Sequence, residues 1–251
     1  MNATVTQLSI APVKGMRLVA VDALELEAGG ARGDRSFCVV DPENVQQLTT
    51  RTARLQQVVP SWDGSALALR FPDGSVVAEP PAFGAPATTT NYEGREIRGR
   101  LVDGALARSV SEFLGRPLRL FARDQGERLA DDAPVTLMSG ASLAALAPQL
   151  DGTVPDARRF RMTIAIDGVD AWEEHGWSGR KLAVGEALLR GIDPVPRCVV
   201  TTRDPDSGRT DLPVLGALAR LRGKRDVTFG LWCEVLAPGR VRLGDAVRLR
   251  S

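Results

Sequence analysis

Along most of this chain the apolar positions alternate with polar ones or gather in short runs, a pattern that predicts strands rather than long helices. In the first hundred or so residues, LELE around Leu24 and Leu26 alternates, SFCVV from Ser36 to Val40 is a short apolar run, and ALALRF from Ala66 to Phe71 alternates again. Gly29-Gly30, Asp63-Gly64 and Asp73-Gly74 separate these runs, and the last pair, behind Pro72, reads as a hairpin tip. A small barrel or sandwich is the economical arrangement of such a segment. The proline- and alanine-rich stretch from Glu79 to Thr90 reads as a surface loop.

The period changes from about Gly104 to Leu114, where Leu106, Val110, Phe113 and Leu114 recur at helical spacing and Gly115 stops the helix ahead of Pro117. A second helix is expected behind Ser139, a good N-cap residue, with Leu143, Leu146 and Leu150 on one face. From Phe160 onward MTIAI, ALLRGI, RCVVTT, GLWCEVLA and VRLGDAVRLR return to strand character, with a turn at Pro238-Gly239. There is no internal repeat and no low-complexity tract. The pattern predicts a mainly β (α+β) chain with a few helices, in two domains spanning 1–120 and 121–251.

Composition narrows the chemistry. The 251 residues are 43% apolar, enough for a sizeable core. Thirty-two Lys and Arg against thirty-one Asp and Glu leave a formal charge of +1, so no bulk field draws the chain to nucleic acid or membrane, and any anion site is local. The start, MNATVTQLSIAPVKG, has neither a signal-peptide pattern nor a membrane-spanning run, which predicts a cytoplasmic address. Cys38, Cys198 and Cys233 form no CxxC pair, which argues against a disulfide framework, a cysteine-rich zinc site or an iron–sulfur cluster. The single histidine, His175, removes the usual zinc-hydrolase clusters. It lies in AWEEHGWSGR, where a surface loop is expected, and the flanking Trp172 and Trp177 read as packing anchors or the rim of a substrate mouth.

One segment carries more than periodicity. Pro196-Arg197-Cys198-Val199-Val200-Thr201-Thr202-Arg203-Asp204-Pro205-Asp206-Ser207-Gly208 resembles the cysteine-bearing signature of MOSC (molybdenum cofactor sulfurase C-terminal) domains, especially those of the amidoxime-reducing components and their bacterial relatives. In the order found in that family come PVKG at Pro12 to Gly15, GDRSF at Gly33 to Phe37, LMSGASLAAL at Leu137 to Leu146, Phe160-Arg161, Phe229-Gly230, and VRLGDAV near the end. The resemblance covers nearly the whole chain. It implies an N-terminal β-barrel domain packed on a C-terminal MOSC β-barrel domain, with a molybdopterin form of the molybdenum cofactor between them.

A thiolate is the soft, negatively charged ligand that such a metal favours, and the resemblance assigns that role, and the catalytic one, to Cys198. Arg197 beside it would favour the thiolate, and the strand-like VVTT behind it would hold the sulfur on rigid backbone. Cys38 and Cys233, inside apolar runs, read as buried structural cysteines. The cofactor phosphate and polar pterin need cations and donors, for which the resemblance points to Lys14, Arg35 and Arg161, with Ser139 at a helix N-terminus. Two positions depart from the amidoxime-reducing pattern, which often has serine at Gly15 and asparagine at Thr163.

The resemblance implies a reductase of N-hydroxylated or N-oxide substrates. Its electrons would come from a separate donor protein, a ferredoxin-, flavodoxin- or cytochrome-type reductase system, because the chain has neither an iron–sulfur cysteine cluster nor a GxGxxG nucleotide fingerprint. The alternatives are a carrier of the cofactor or of sulfur that turns over no organic substrate, and a β-barrel interaction protein with a vestigial site.

Overall fold

The computed structural model describes residues 3–91, 94–130, 132–224 and 226–250. Among them the chain is mainly β with three α-helices. Seven strands close into a barrel. Around it run Ile164–Asp167, Val135–Ser139, Thr228–Ala237, Ala187–Pro196, Lys181–Val184, Ala246–Arg250 and Ala3–Ile10, the last pairing back onto Ile164–Asp167. The first strand of the chain thus closes a barrel whose other strands all lie beyond residue 134. A register shift between Val5 and Gln7 lets that strand turn both Val5 and Leu8 into the barrel core. There they meet Leu137, Ile164, Leu189 and Leu231, each burial stabilising by about 1.5 to 3 kcal/mol.

The second lobe sets a five-stranded sheet against a three-stranded one. The larger sheet runs Ala82–Thr90, Glu96–Asp103, Arg119–Arg123, Phe37–Val40, Val13–Lys14, and the smaller is the meander Val59–Trp62, Leu67–Arg70, Val76–Glu79. Phe37, Leu55, Leu69, Val102 and Leu120 fill the space between them, joined by Leu106 and Val110 of the helix Ala105–Leu114. That helix has no side-chain cap of its own. The Glu79 carboxylate caps it from the meander, accepting from the Ala105 and Leu106 N–H groups at 2.8 and 3.1 Å.

Three local expectations are corrected. The stretch from Glu79 to Thr90 is strand from Ala82 onward, because it takes an edge position where Pro86, at a register shift, costs no ladder bond. No part of RCVVTT is strand: the preceding strand ends at Pro196, Arg197 and Cys198 belong to no strand, and Val199–Thr202 is a single 3₁₀ turn. The Thr201 hydroxyl donates to the Cys198 carbonyl at 3.0 Å and Thr202 to that of Val199 at 2.6 Å, which outweighs the β preference of four branched residues. The helix behind Ser139 is shorter than its leucine spacing implies. It spans Gly140–Ala144, and the chain continues past Pro148 as the 3₁₀ turn Ala147–Gln149. No helix among the described residues is long and apolar enough to cross a membrane.

Candidate functional site

A cavity of about 510 Å³ lies between the barrel and the second lobe. From the second lobe, the two-residue strand Val13–Lys14 lies parallel to Phe37–Val40, and two backbone bonds, from Arg35 N to the Ala11 carbonyl and from Phe37 N to that of Pro12, extend the pairing. Lys14 and Arg35 are brought to one wall by that pairing. Lys14 Nζ donates to Gln46 Oε1 at 2.9 Å, and Gln46 is itself buried. Asp34 accepts from Ala11 N at 2.7 Å and pairs with the Arg35 guanidinium, so the loop that carries Arg35 is fixed at both ends.

From the barrel side come Arg161, Arg197 and Cys198. Cys198 follows the long strand Ala187–Pro196, in extended backbone just before the 3₁₀ turn, and its thiol is exposed. Arg197 is enclosed: its guanidinium donates to the Phe160 carbonyl, approaches Met162 Sδ at 3.8 Å and lies 5.5 Å from the Phe160 ring centroid. Its Nε is buried without a partner among the described residues. Burial pushes Arg197 down to about 10, the Cys198 charge opposing it. Burial also pushes Arg161 down to about 10, with Arg35 and Arg197 adding repulsion and Asp34 and Cys198 countering it. Both arginines remain cations at neutral pH. A cavity that keeps cations against desolvation and mutual repulsion is suited to an anionic ligand.

Arg35 and Arg161 share a further feature. Their φ angles are 45° and 54°, in the left-handed region that costs a side-chain-bearing residue roughly 1 to 2 kcal/mol. Arg161 adopts it at the end of the 3₁₀ turn Ala157–Phe160, from which its guanidinium reaches the Met16 carbonyl of the other lobe at 2.7 Å.

Two family models match along the chain. The MOSC N-terminal beta barrel domain matches residues 2–117, and the MOSC domain matches residues 124–248. This chain belongs to the MOSC family. It is 30% identical to the mitochondrial amidoxime-reducing component 1 of Homo sapiens, over 98% of this chain and 82% of that protein. It is 27% identical to the molybdenum cofactor sulfurase of Caenorhabditis briggsae, over 98% of this chain and 36% of that one. Among solved structures, the YUAD protein from Bacillus subtilis covers 100% of this chain, with 97% of its own length aligned, at a TM-score of 0.52 and 15% identity, a likeness of fold alone.

In this MOSC protein the sequence-derived residues divide. Lys14, Arg35, Arg161, Arg197 and Cys198 meet on the cavity, and Ser139 does not. Ser139 is fully buried behind it: its hydroxyl accepts from Ser142 N at 3.0 Å and bonds to Glu174 at 3.1 Å, while its N–H also points to Glu174. That hydroxyl serves the helix cap and a buried carboxylate. Gly15 has φ +90°, and a Cβ there would sit 3.2 Å from Thr49 Oγ1 and 3.3 Å from Leu55 Cδ1, so the departure from serine fits this backbone. Thr163, just before the strand Ile164–Asp167, exchanges hydrogen bonds with Thr136 of the neighbouring strand, its N–H donating to the Thr136 hydroxyl at 2.9 Å.

Sequence reasoning passed over Gln46 and the Gln47–Thr50 wall, whose polar run QQLTT has no periodicity to mark it, and the apolar surface of Phe160, Met162 and Trp232. It also left unread the helix Val214–Arg222, although Val214, Ala217 and Leu218 fall at helical spacing.

His175 is not the surface residue expected. Both ring nitrogens are buried without a partner among the described residues, and the ring packs edge-on against Trp172 at 5.5 Å. Desolvation, with Arg222 adding repulsion and Asp226 opposing it, pushes it from 6.5 down to about 4. Between those values the unfolded chain binds a proton that the folded one refuses, so stability present above pH 6.5 is lost as pH falls through about 4. Urea midpoints measured from pH 7 down to 4 are expected to fall less steeply in His175→Gln than in the wild type, and parallel curves would refute this assignment.

Proposed function

We propose that this MOSC protein binds a molybdenum cofactor in the cavity between its lobes, with Cys198 as the protein's thiolate on the metal, and reduces N-hydroxylated or N-oxide substrates. The observation that carries the reading is the single exposed thiol facing the same cavity as Lys14, Arg35, Arg161 and Arg197. The donor set fits the group: a thiolate for a soft metal, and four cations for a phosphate and a polar heterocycle. The unpartnered Nε of Arg197 is a buried donor that such a ligand would satisfy. A cavity of about 510 Å³ is also within the range of small-ligand pockets.

Bound there, the cofactor would supply the two-electron chemistry that removes oxygen from a substrate. The protein's own residues bind and orient. Lys14, held by Gln46, and Arg35, held by Asp34, would take the anionic end from the second lobe. Arg161 spans both lobes through the Met16 carbonyl, which ties anion binding to closure of the two lobes on each other. Phe160, Met162 and Trp232 exclude water from one side. Electrons would enter from a separate donor protein. The relatives named as amidoxime-reducing components support the reductase reading over a carrier role.

Protein purified from a host that makes the cofactor is expected to hold molybdenum and pterin near one per chain, and to reduce an amidoxime with a reduced viologen dye as donor. Folded protein with neither metal nor pterin would sink the proposal. Full loading without turnover on amidoximes, hydroxylamines or N-oxides would overturn the reductase part and leave a carrier.

A further inference from the structure

Arg203 is one guanidinium that the chemistry above does not use. It follows the 3₁₀ turn behind Cys198 and reaches across to the other lobe, donating to the Thr49 carbonyl and, at 2.9 Å, to that of Thr50. Among the described residues it pairs with no carboxylate, and no backbone N–H bonds either of those carbonyls. Thr49 and Thr50 line the same cavity as Cys198. The residues flanking them are tied to their own lobe: the Leu48 carbonyl accepts from Arg51 and Thr52 at 2.9 Å, Gln47 N donates to the Val39 carbonyl at 2.8 Å, and Arg116 donates to Gln47 Oε1 and Thr52 Oγ1. The peptide groups of Thr49 and Thr50 make no backbone–backbone hydrogen bond among the described residues.

The other end of the clamp is rigid. The Arg203 N–H bonds the Val200 carbonyl at 3.1 Å, the Thr201 and Thr202 hydroxyls lock the turn to Cys198 and Val199, and Arg203 bridges to Thr210. Cys198 and Arg203 therefore move as one piece. The Thr49 and Thr50 carbonyls take their position from the cysteine's own turn, between flanks that their own lobe holds.

We propose that Arg203 is a positioning residue that fixes the Thr49–Thr50 wall and so selects by size what reaches the Cys198 thiol. Two charge-assisted bonds hold the carbonyls at the crest of this wall, and their loss frees the crest between its anchored flanks. The fork geometry matters, because lysine reaches only one carbonyl at a time. The inference rests on the cavity and not on the cofactor, so cofactor-free protein tests it, and its failure is separate from failure of the reductase reading.

The full chain, made in a host unable to synthesise the cofactor, presents Cys198 as its accessible thiol because Cys38 and Cys233 are buried. Alkylation rates are compared for iodoacetamide, which is small, and fluorescein maleimide, which is bulky. In Arg203→Ala the bulky reagent is expected to react about fivefold faster than with wild type, equivalent to about 1 kcal/mol, while the small one changes by less than about twofold. Arg203→Lys should fall between. Gln57→Ala removes a different bond between the lobes, from Gln57 Nε2 to the Ser207 carbonyl at 2.7 Å, and should leave both rates unchanged. Should Arg203→Ala fail to fold, the lysine variant decides, with the bulky rate raised and the small rate held. An unaltered ratio of bulky to small rates in the folded Arg203 variants overturns the proposal. So does an equal rise in Gln57→Ala, which would mean that general loosening of the lobes is responsible.

Discussion

Cys198→Ala is expected to fold as the wild type does and to lose nearly all of its molybdenum. The thiol is exposed, and no hydrogen bond to its sulfur occurs among the described residues, so its removal leaves no cavity and no orphaned partner. A surface change of that kind moves stability by no more than about 0.5 kcal/mol. The effect on the metal should be of another order. The described residues hold no group of three or more His, Cys, Asp and Glu side chains that would serve as a substitute site. Loss of the thiolate should therefore cost turnover more than the roughly 10- to 100-fold associated with an outer-shell partner. Metal analysis, pterin release and the molybdenum electronic spectrum, each with a melting curve, check the expectation. Wild-type metal content with an unchanged spectrum in the variant would remove Cys198 from the coordination sphere.

The largest stability effect is expected at Gly230. Its φ is +75°, and a Cβ there would lie 2.0 Å from Met162 Cε and 2.7 Å from the Leu137 carbonyl. Met162 is flexible and yields. The Leu137 carbonyl cannot, because its strand is paired on both sides inside the closed barrel. Backbone strain of roughly 1 to 2 kcal/mol and overpacking of roughly 1 to 3 kcal/mol together predict that Gly230→Ala loses about 2 to 5 kcal/mol. For a chain of this length that lowers Tm by about 5 to 15 °C. The displaced Met162 also touches Arg197, so retention of the cofactor should fall with stability. A Tm within about 1 °C of wild type would mean that the strand relaxes around the methyl group, and would refute the steric argument.

Much of the architecture was legible because it follows from local chemistry. The strand periods of LELE and ALALRF, the helix ended by Gly115, and the Ser139 N-cap all depend on residues within a few positions of one another. Where local rules conflict, reading is harder. In VVTT, branched side chains favour strand while the two threonine hydroxyls favour a tight turn, and the choice rests on where the chain must go after Cys198. Pro86 excludes a central strand and permits an edge one, and only the sheet order says which applies.

The candidate site divides in the same way. The sequence by itself determined the chemical character of the residues: one cysteine in a segment that resembles a family signature, cations in motifs that stand in that family's order, and a family whose chains pair two β-rich domains. Tertiary structure alone decided what those residues meet. It closed the barrel with the first strand, put Lys14 beside Gln46, set Arg161 and Arg197 in a desolvated wall, and turned Ser139 toward Glu174 rather than the cavity. Each of those outcomes joins segments far apart in sequence. Periodicity and capping act over a few residues, whereas desolvation and charge repulsion depend on whichever distant strand or loop packs alongside.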